Sequence, residues 1–302
     1  MHVFITGASG HIASAVIPEL LANGHTVTGL ARTDASAATV EKLGARVHRG
    51  SLDDLDGLAA AVAASDGVIH LAFKHQEMQS GDFDGALRAD LAAIGAMGDA
   101  LAGSGKPMVG ASGTLTLTFG GDLGRPGTED DALAGGPRID AENTLIGLAE
   151  RGVRSSVIRL PPTVHSSLDH HGYIPTLIGM ARDKGVAGYP GDGANRWPAV
   201  HSLDAAHLYR LALEGAPAGS RLHAVGDEGV PFRRIAETIG RHVGVPAASI
   251  PAEEVGDYFD FLAFFVSLDN PTSSALTRKL LGWEPTHPGL IADLDEGHYF
   301  EV

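Results

Sequence analysis

The chain has 302 residues, 44% of them hydrophobic, a formal net charge of −15 and no cysteine. That size and apolar content support one large α/β unit or a main domain with an appended lobe. The acidic balance without a basic run argues against nucleic acid and anionic membrane surfaces as partners. The missing cysteines exclude disulfides, thiolate catalysis and cysteine-held metal.

Residues 2–5 read as a buried strand, Thr6-Gly7-Ala8-Ser9-Gly10 as a tight turn, and residues 12–22 as a helix packed on that strand. Gly7 permits the turn, Gly10 lets the backbone approach a pyrophosphate, and Ala13 allows close helix–strand packing. The helix start offers Ser9, His11 and Ile12 with free N–H groups and the positive end of the dipole. Residues 25–30 read as the second strand. Residues 46–48, 67–73, 107–111 and 153–160 read as the third to sixth, with helical patterns at 35–43, 55–64, 83–102 and 139–151. Such alternation implies a doubly wound parallel sheet that binds ligands at the carboxyl ends of its strands. Past Pro161 the pattern changes to helices at 173–184, 204–214 and 232–243, separated by glycine- and proline-rich loops. Residues 1–160 are expected to form the dinucleotide-binding core. Residues 161–302 are expected to form mainly a smaller substrate lobe, interleaved with the core as one compact unit. The acidic, glycine-rich stretch 119–136 reads as a mobile flap. No apolar stretch reaches transmembrane length and no basic leader precedes the first strand, so a cytoplasmic chain is the default.

Four segments stand in a telling order: Thr6 to Ile12, Val68-Ile69-His70-Leu71-Ala72, Val157-Ile158-Arg159-Leu160-Pro161, and Trp197-Pro198-Ala199-Val200-His201-Ser202-Leu203-Asp204. With these the chain resembles the short-chain dehydrogenase/reductase superfamily, most of all its extended or atypical branch of NAD(P)-dependent epimerases, dehydratases and reductases. The resemblance implies a Rossmann fold with a C-terminal lobe over the nicotinamide end. The Leu281-Gly282-Trp283-Glu284-Pro285 segment is similar to a structural signature near the family's C-terminus.

The end of the second strand, Ala31-Arg32-Thr33-Asp34, bears on the cofactor. An acidic side chain there would take the ribose hydroxyls of NAD, whereas the planar fork of Arg32 suits a 2′-phosphate. NADP is favoured, and Asp34 keeps NAD in play. By the resemblance, Ser51 and Leu52 touch the adenine, while Leu71, Ala72, Phe73 and Pro161 line the nicotinamide side.

The family's chemistry uses a serine or threonine after the fifth strand and a tyrosine and lysine four residues apart. Ala111-Ser112-Gly113-Thr114 matches the first element, with Ser112 expected to bind the substrate oxygen and Thr114 as a second hydroxyl. The pair itself is missing. Counting back from Arg159 puts the family's helix glutamate on Glu142, its lysine on Arg138 and its tyrosine on Ala134. Arg138 can hold a ribose or phosphate oxygen but is a poor proton shuttle. The replacement candidates are His75, beside Lys74, and His165, with Tyr173 and Tyr189 behind them. Trp197 is expected to wall an apolar pocket and Arg196 to meet an anionic group. No metal is expected.

The leading expectation is an NADP-dependent oxidoreductase that moves a hydride to or from a small carbonyl compound or polarised double bond. A sugar-nucleotide epimerase or dehydratase, and a non-enzymatic NADP(H)-binding sensor, are the alternatives. A small-molecule substrate and a homodimer through helices 83–102 and 139–151 are the expected partners.

Overall fold

The computed structural model describes residues 1–75, 77 and 80–301. Its main sheet holds β1 (His2–Thr6), β2 (Thr26–Ala31), β3 (Arg46–Arg49), β4 (Gly67–His70), β5 (Pro107–Gly113), β6 (Arg154–Leu160) and β10 (Ser220–His223). They run parallel in the order β10-β6-β5-β4-β1-β2-β3. The order reverses between β1 and β4, the switch point where such sheets open a ligand crevice. The architecture is the doubly wound Rossmann type that the alternating pattern implied.

Alternation along β1 explains the layers. Val3 and Ile5 face α1 (His11–Ala22) and α7 (Ser202–Gly215), in a core with Val16, Leu20 and Leu208. Phe4 faces the other way, with Leu58 of α3 (Leu55–Ala63), Ile94 and Met97 of α4 (Phe83–Leu101) and Leu145 of α5 (Ile139–Gly147). Between β2 and β3 runs α2 (Asp34–Lys42), opened by a reciprocal cap of Thr33 and Ser36.

The C-terminal half builds a second core. Its elements include α6 (Tyr173–Lys184), α8 (Phe232–Val243), a sheet of β7 (Thr163–His165), β9 (Arg196–His201) and β11 (Asp227–Pro231), and a pair of β8 (Ala187–Pro190) and β12 (Ala247–Ile250). On α8, Phe232, Ile235, Ala236 and Ile239 fall on one buried stripe, while Arg233, Arg234 and Glu237 face out. This half also lends β10 and α7 to the main sheet, so the division at residue 160 is one of sequence rather than of packing.

Several boundaries differ from expectation. The fourth strand ends at His70 rather than 73. The turn at Gly7 explains this, because it presses against the segment: a Cβ on Gly7 would lie 2.7 Å from Ala72 N. The fifth strand runs on to Gly113, since Ser112 and Gly113 pair with Arg159 and Leu160. The helix expected over 139–151 stops at Gly147 and tightens into a 3-10 turn, Leu148–Arg151. The stretch 119–136 is continuously exposed through residue 126, then alternates between buried and exposed positions. Its second half is fastened to the C-terminal half by Gly127 N–H to Pro271 O at 2.8 Å and by buried Glu129, whose Oε1 accepts from Thr277 N at 2.7 Å. That is a strap rather than a free flap.

Candidate functional site

The crevice begins at the Gly7–Gly10 turn. Gly7 has φ 68, and the contact with Ala72 leaves no room for any side chain. Gly10 is extended and exposed with Ser9, so the first turn of α1 presents its amides to the open side. The donor set and the bare cradle fit a dinucleotide pyrophosphate. The His11 side chain turns aside from this role. Its Nε2 lies 3.0 Å from Ser202 Oγ and its Nδ1 3.7 Å from Asp169, tying the turn to the C-terminal half. Burial lowers its pKa. Ile12 is half-buried under the turn and packs on the main core.

At the tips of β2 and β3 the sequence reading was incomplete. Arg32 is exposed and lies 4.0 Å from Glu77. Arg49, which the sequence reading left out, pairs in register with Ala31. Its guanidinium takes Thr33 O and Asp34 Oδ1, each at 2.7 Å. Two arginines, Arg32 and Arg49, and two carboxylates, Asp34 and Glu77, thus share the position where a dinucleotide ribose is expected. Leu52 is buried, and Ser51 Oγ accepts from Asp53 N at 3.2 Å. Lys74 caps this end by donating to Asp53 at 2.8 Å.

A buried chain of polar groups runs from the turn to the helix of Arg138. Thr6 Oγ1 accepts from Ala72 N at 3.2 Å and lies 2.6 Å from His70 Nδ1. His70 Nε2 lies 3.0 Å from Asp90 Oδ1. A carboxylate only accepts, so Nε2 carries the ring proton and Thr6 donates to Nδ1. Arg138 donates to Asp90 Oδ2 at 2.6 Å and to Ala111 O at 3.2 Å, with its guanidinium 4.3 Å above the Phe73 ring. Its backbone is left-handed, φ 65, a conformation that costs a non-glycine residue about 1–2 kcal/mol and persists only where contacts over-determine it. Leu71 and Ala72 are half-buried beside it.

The remaining expected residues divide. Ser112 is buried, with its Oγ enclosed beside the Glu142 carboxylate. Burial works against the Glu142 charge, but Arg159 and Arg221 overcome it and hold its pKa below the ordinary value. Thr114 is fully enclosed and donates to Asn270 Oδ1 at 2.7 Å, so it anchors the C-terminal half to β5 rather than facing open space. His75 is exposed and edge-on to Phe73; burial of its ring first, then the Arg138 charge, lowers its pKa. Pro161 is buried.

His165 is not brought to the crevice. Its side chain is 0% exposed, and its Nδ1 sits 2.8 Å from the buried Asp293 in the second core. Tyr173 packs on Trp197 and Phe265, and Tyr189 lies buried under Arg233. Trp197 walls no pocket. It is enclosed, edge-on to Phe232, because alternation along β9 turns it into the second core. Arg196 is taken by Asp269 at 2.7 Å. Asp293, Glu296 and His298 bring ligand atoms within 4.8 Å of one another, far along the chain from the expected site. Among the described residues, no helix is long and apolar enough to cross a membrane.

Comparison with known proteins fits this geometry. A family model described as NAD(P)H-binding matches residues 7–100. An uncharacterized protein of Schizosaccharomyces pombe is 44% identical over 99% of this chain and 100% of its own length. One of Saccharomyces cerevisiae is 42% identical, over 97% and 98%. A sterol-4-alpha-carboxylate 3-dehydrogenase, decarboxylating, of Dictyostelium discoideum is 26% identical over 77% of this chain and 74% of its own. Among solved structures, the UDP-glucose 4-epimerase of Thermotoga maritima superposes with TM-score 0.78 at 17% identity, covering 99% and 98% of the two chains. The dTDP-glucose 4,6-dehydratase DesIV of Streptomyces venezuelae, solved with NAD, gives 0.76 at 20%, covering 98% and 96%. The chain carries an NAD(P)H-binding domain, has the fold of these epimerases and dehydratases, and belongs to one full-length family with the two yeast proteins.

Proposed function

We propose that the protein is an NADP-dependent oxidoreductase acting on a small carbonyl compound or polarised double bond. The observation that carries this reading is Arg138, a fixed cation held at the family's lysine position by Asp90, Ala111 O and Phe73, while alanine stands at the tyrosine position. Arg138 can bind and orient a ribose or a developing oxyanion, but it does not exchange protons near neutral pH. An epimerase or dehydratase cycle needs a strong tyrosine base at position 134, so simple hydride transfer fits better. When bound, the reduced dinucleotide supplies a hydride to the carbonyl carbon or the β-carbon of an enone, and the displaced π pair is taken up by a proton. We assign the Ser112 hydroxyl, at the carboxyl end of β5, the role of holding the substrate oxygen. We assign the proton relay from solvent to His75, whose ring stands edge-on to Phe73. We place the 2′-phosphate between Arg32 and Arg49, since two guanidiniums favour it over a bare ribose. The homodimer is proposed through the outer faces of α4 and α5; their inner glycine Gly98 is already filled by Leu148.

The test is a titration of NADPH and NADH. Arg32→Ala and Arg49→Ala should each weaken NADPH about tenfold, the worth of one charge-assisted bond, and change NADH less than twofold. Equal loss for both nucleotides rejects the phosphate assignment. No NADPH oxidation across a broad panel of aldehydes, ketones and enones rejects the reaction.

A further inference from the structure

Position 134 does more than lose a proton donor. Leu133, Ala134, Pro137 and Ile139, with two glycines, face Phe119 across a hollow of about 370 Å³. That is the lower end of the ~300–1,000 Å³ that ligand sites span. The wall is preformed. Asn143 Nδ2 donates to Leu133 O at 3.0 Å and to Ala134 O at 3.3 Å, and Gly136 N donates to Asp140 at 3.1 Å. The hollow and the crevice are neighbours along the chain. Pro137 and Ile139 flank Arg138, and Phe119 stands in the 3-10 turn, Thr114–Gly120, that continues β5 beyond Ser112. Phe119 is 45% exposed, and on its far side it meets Phe264 of the C-terminal half, 60% exposed, at 6.4 Å. The apolar lining therefore continues into an exposed aromatic surface.

The charges nearby do not suit an anion. Arg125, on the strap, is bound by Asp131 at 2.6 Å, and Arg196, beside Asn270, by Asp269 at 2.7 Å. Arg138 is bound by Asp90. A nucleotide diphosphate would have to break one of these pairs in a chain of net charge −15.

We propose that this hollow receives the apolar body of an uncharged carbonyl substrate, an aryl or medium-chain aldehyde, ketone or enone, and that alanine at position 134 is what keeps it open. The proposal rests on the hydride-transfer reading and names its substrate class.

The test uses the full chain with NADPH and three probes: cinnamaldehyde, glyceraldehyde and UDP-glucose. Cinnamaldehyde should exceed glyceraldehyde at least tenfold in kcat/KM, with no turnover of UDP-glucose. Phe119→Ala should cost cinnamaldehyde about tenfold, the scale of a few methylene contacts in an apolar pocket, and leave glyceraldehyde within twofold. Ala134→Leu, which fills the hollow at an exposed position, should do the same. Circular dichroism melts of both variants check that they fold. Saturation-transfer NMR of cinnamyl alcohol reads the hollow without turnover; the signal should be present in the wild type and lost in Ala134→Leu. Glyceraldehyde reduced as well as cinnamaldehyde, or variants without selective loss, overturns the hollow and leaves hydride transfer standing. Alcohol binding lost in Ala134→Leu with no carbonyl reduced overturns hydride transfer and leaves the hollow. Turnover of UDP-glucose overturns both.

Discussion

Two buried histidine–aspartate pairs, His70–Asp90 and His165–Asp293, look alike in chemistry and differ in what lies beyond them. His70–Asp90 continues on one side into Thr6 and the glycine turn, and on the other into Arg138, which is still partly exposed at the crevice. His165–Asp293 is sealed. Its neighbours are His201, edge-on at 5.5 Å, and through it His287, stacked at 4.7 Å. The first pair transmits position to a group that can touch a ligand. The second joins β7 to the C-terminal helix and leads on through His201 to His287 and through Asp293 to His298, neither of which belongs to the Gly7–Gly10 turn. A histidine's worth to function is therefore set by where its chain of polar contacts leads.

Breaking the first pair should have the largest effect. Asp90→Ala leaves the buried His70 and the Arg138 guanidinium without their acceptor, at a cost of about 3 kcal/mol in stability. It should also lower NADPH affinity at least tenfold; denaturant unfolding and a fluorescence titration measure the two. Breaking the second should cost stability alone. His165→Ala strands the Asp293 carboxylate for about 2 kcal/mol and leaves NADPH affinity within twofold. If affinity falls as far as in Asp90→Ala, the distinction between the pairs is wrong.

Acid should act mainly on the second half of the chain. Burial lowers His201 to about 4, with the neighbouring His165 adding to the shift, and burial also lowers His223 to about 4. In the unfolded chain both rings take a proton near 6.5. Between these values the unfolded state binds more protons, so stability rises with pH across the window and is lost as pH falls from about 6.5 towards 4. Melting temperatures taken across that range should show the fall, and His223→Gln should make it shallower. The smallest effect belongs to the cofactor rim. Asp34→Ala releases Arg49 from an exposed ion pair worth under ~1 kcal/mol and should improve NADPH over NADH by only two- to threefold.

Much of the frame was legible because buried parallel strands are written as unbroken apolar runs and the turn as glycines at fixed spacing. The strands β1, β2, β4, β5 and β6 carry that signal, whereas β3, Arg-Val-His-Arg, carries it weakly. Strand β10, Ser-Arg-Leu-His, does not; it is short and mixed, and only its pairing with β6 makes it a strand. The site was legible where the family register fixed it, as at Arg138 and Ala134. It was not legible where meaning comes from distant partners. His70 reads as one polar residue in an apolar strand, and its role appears only when Thr6 and Asp90 fold against it. Arg49 was passed over because the third strand was read as ending one residue earlier. His165 and Trp197 were named from their place in a loop and a strand, and side-chain direction, which a sequence does not state, turned both inward.

The late arrival of β10 has a consequence for synthesis. The main sheet borrows its outermost strand from well beyond the segment that binds the dinucleotide, so a nascent chain that has emerged only through β6 carries an unpaired apolar edge. The ribosome must deliver β7, β8, β9 and α7 before that edge is capped. A chain cut after β6 should therefore gather into aggregates rather than yield a small nucleotide-binding fragment.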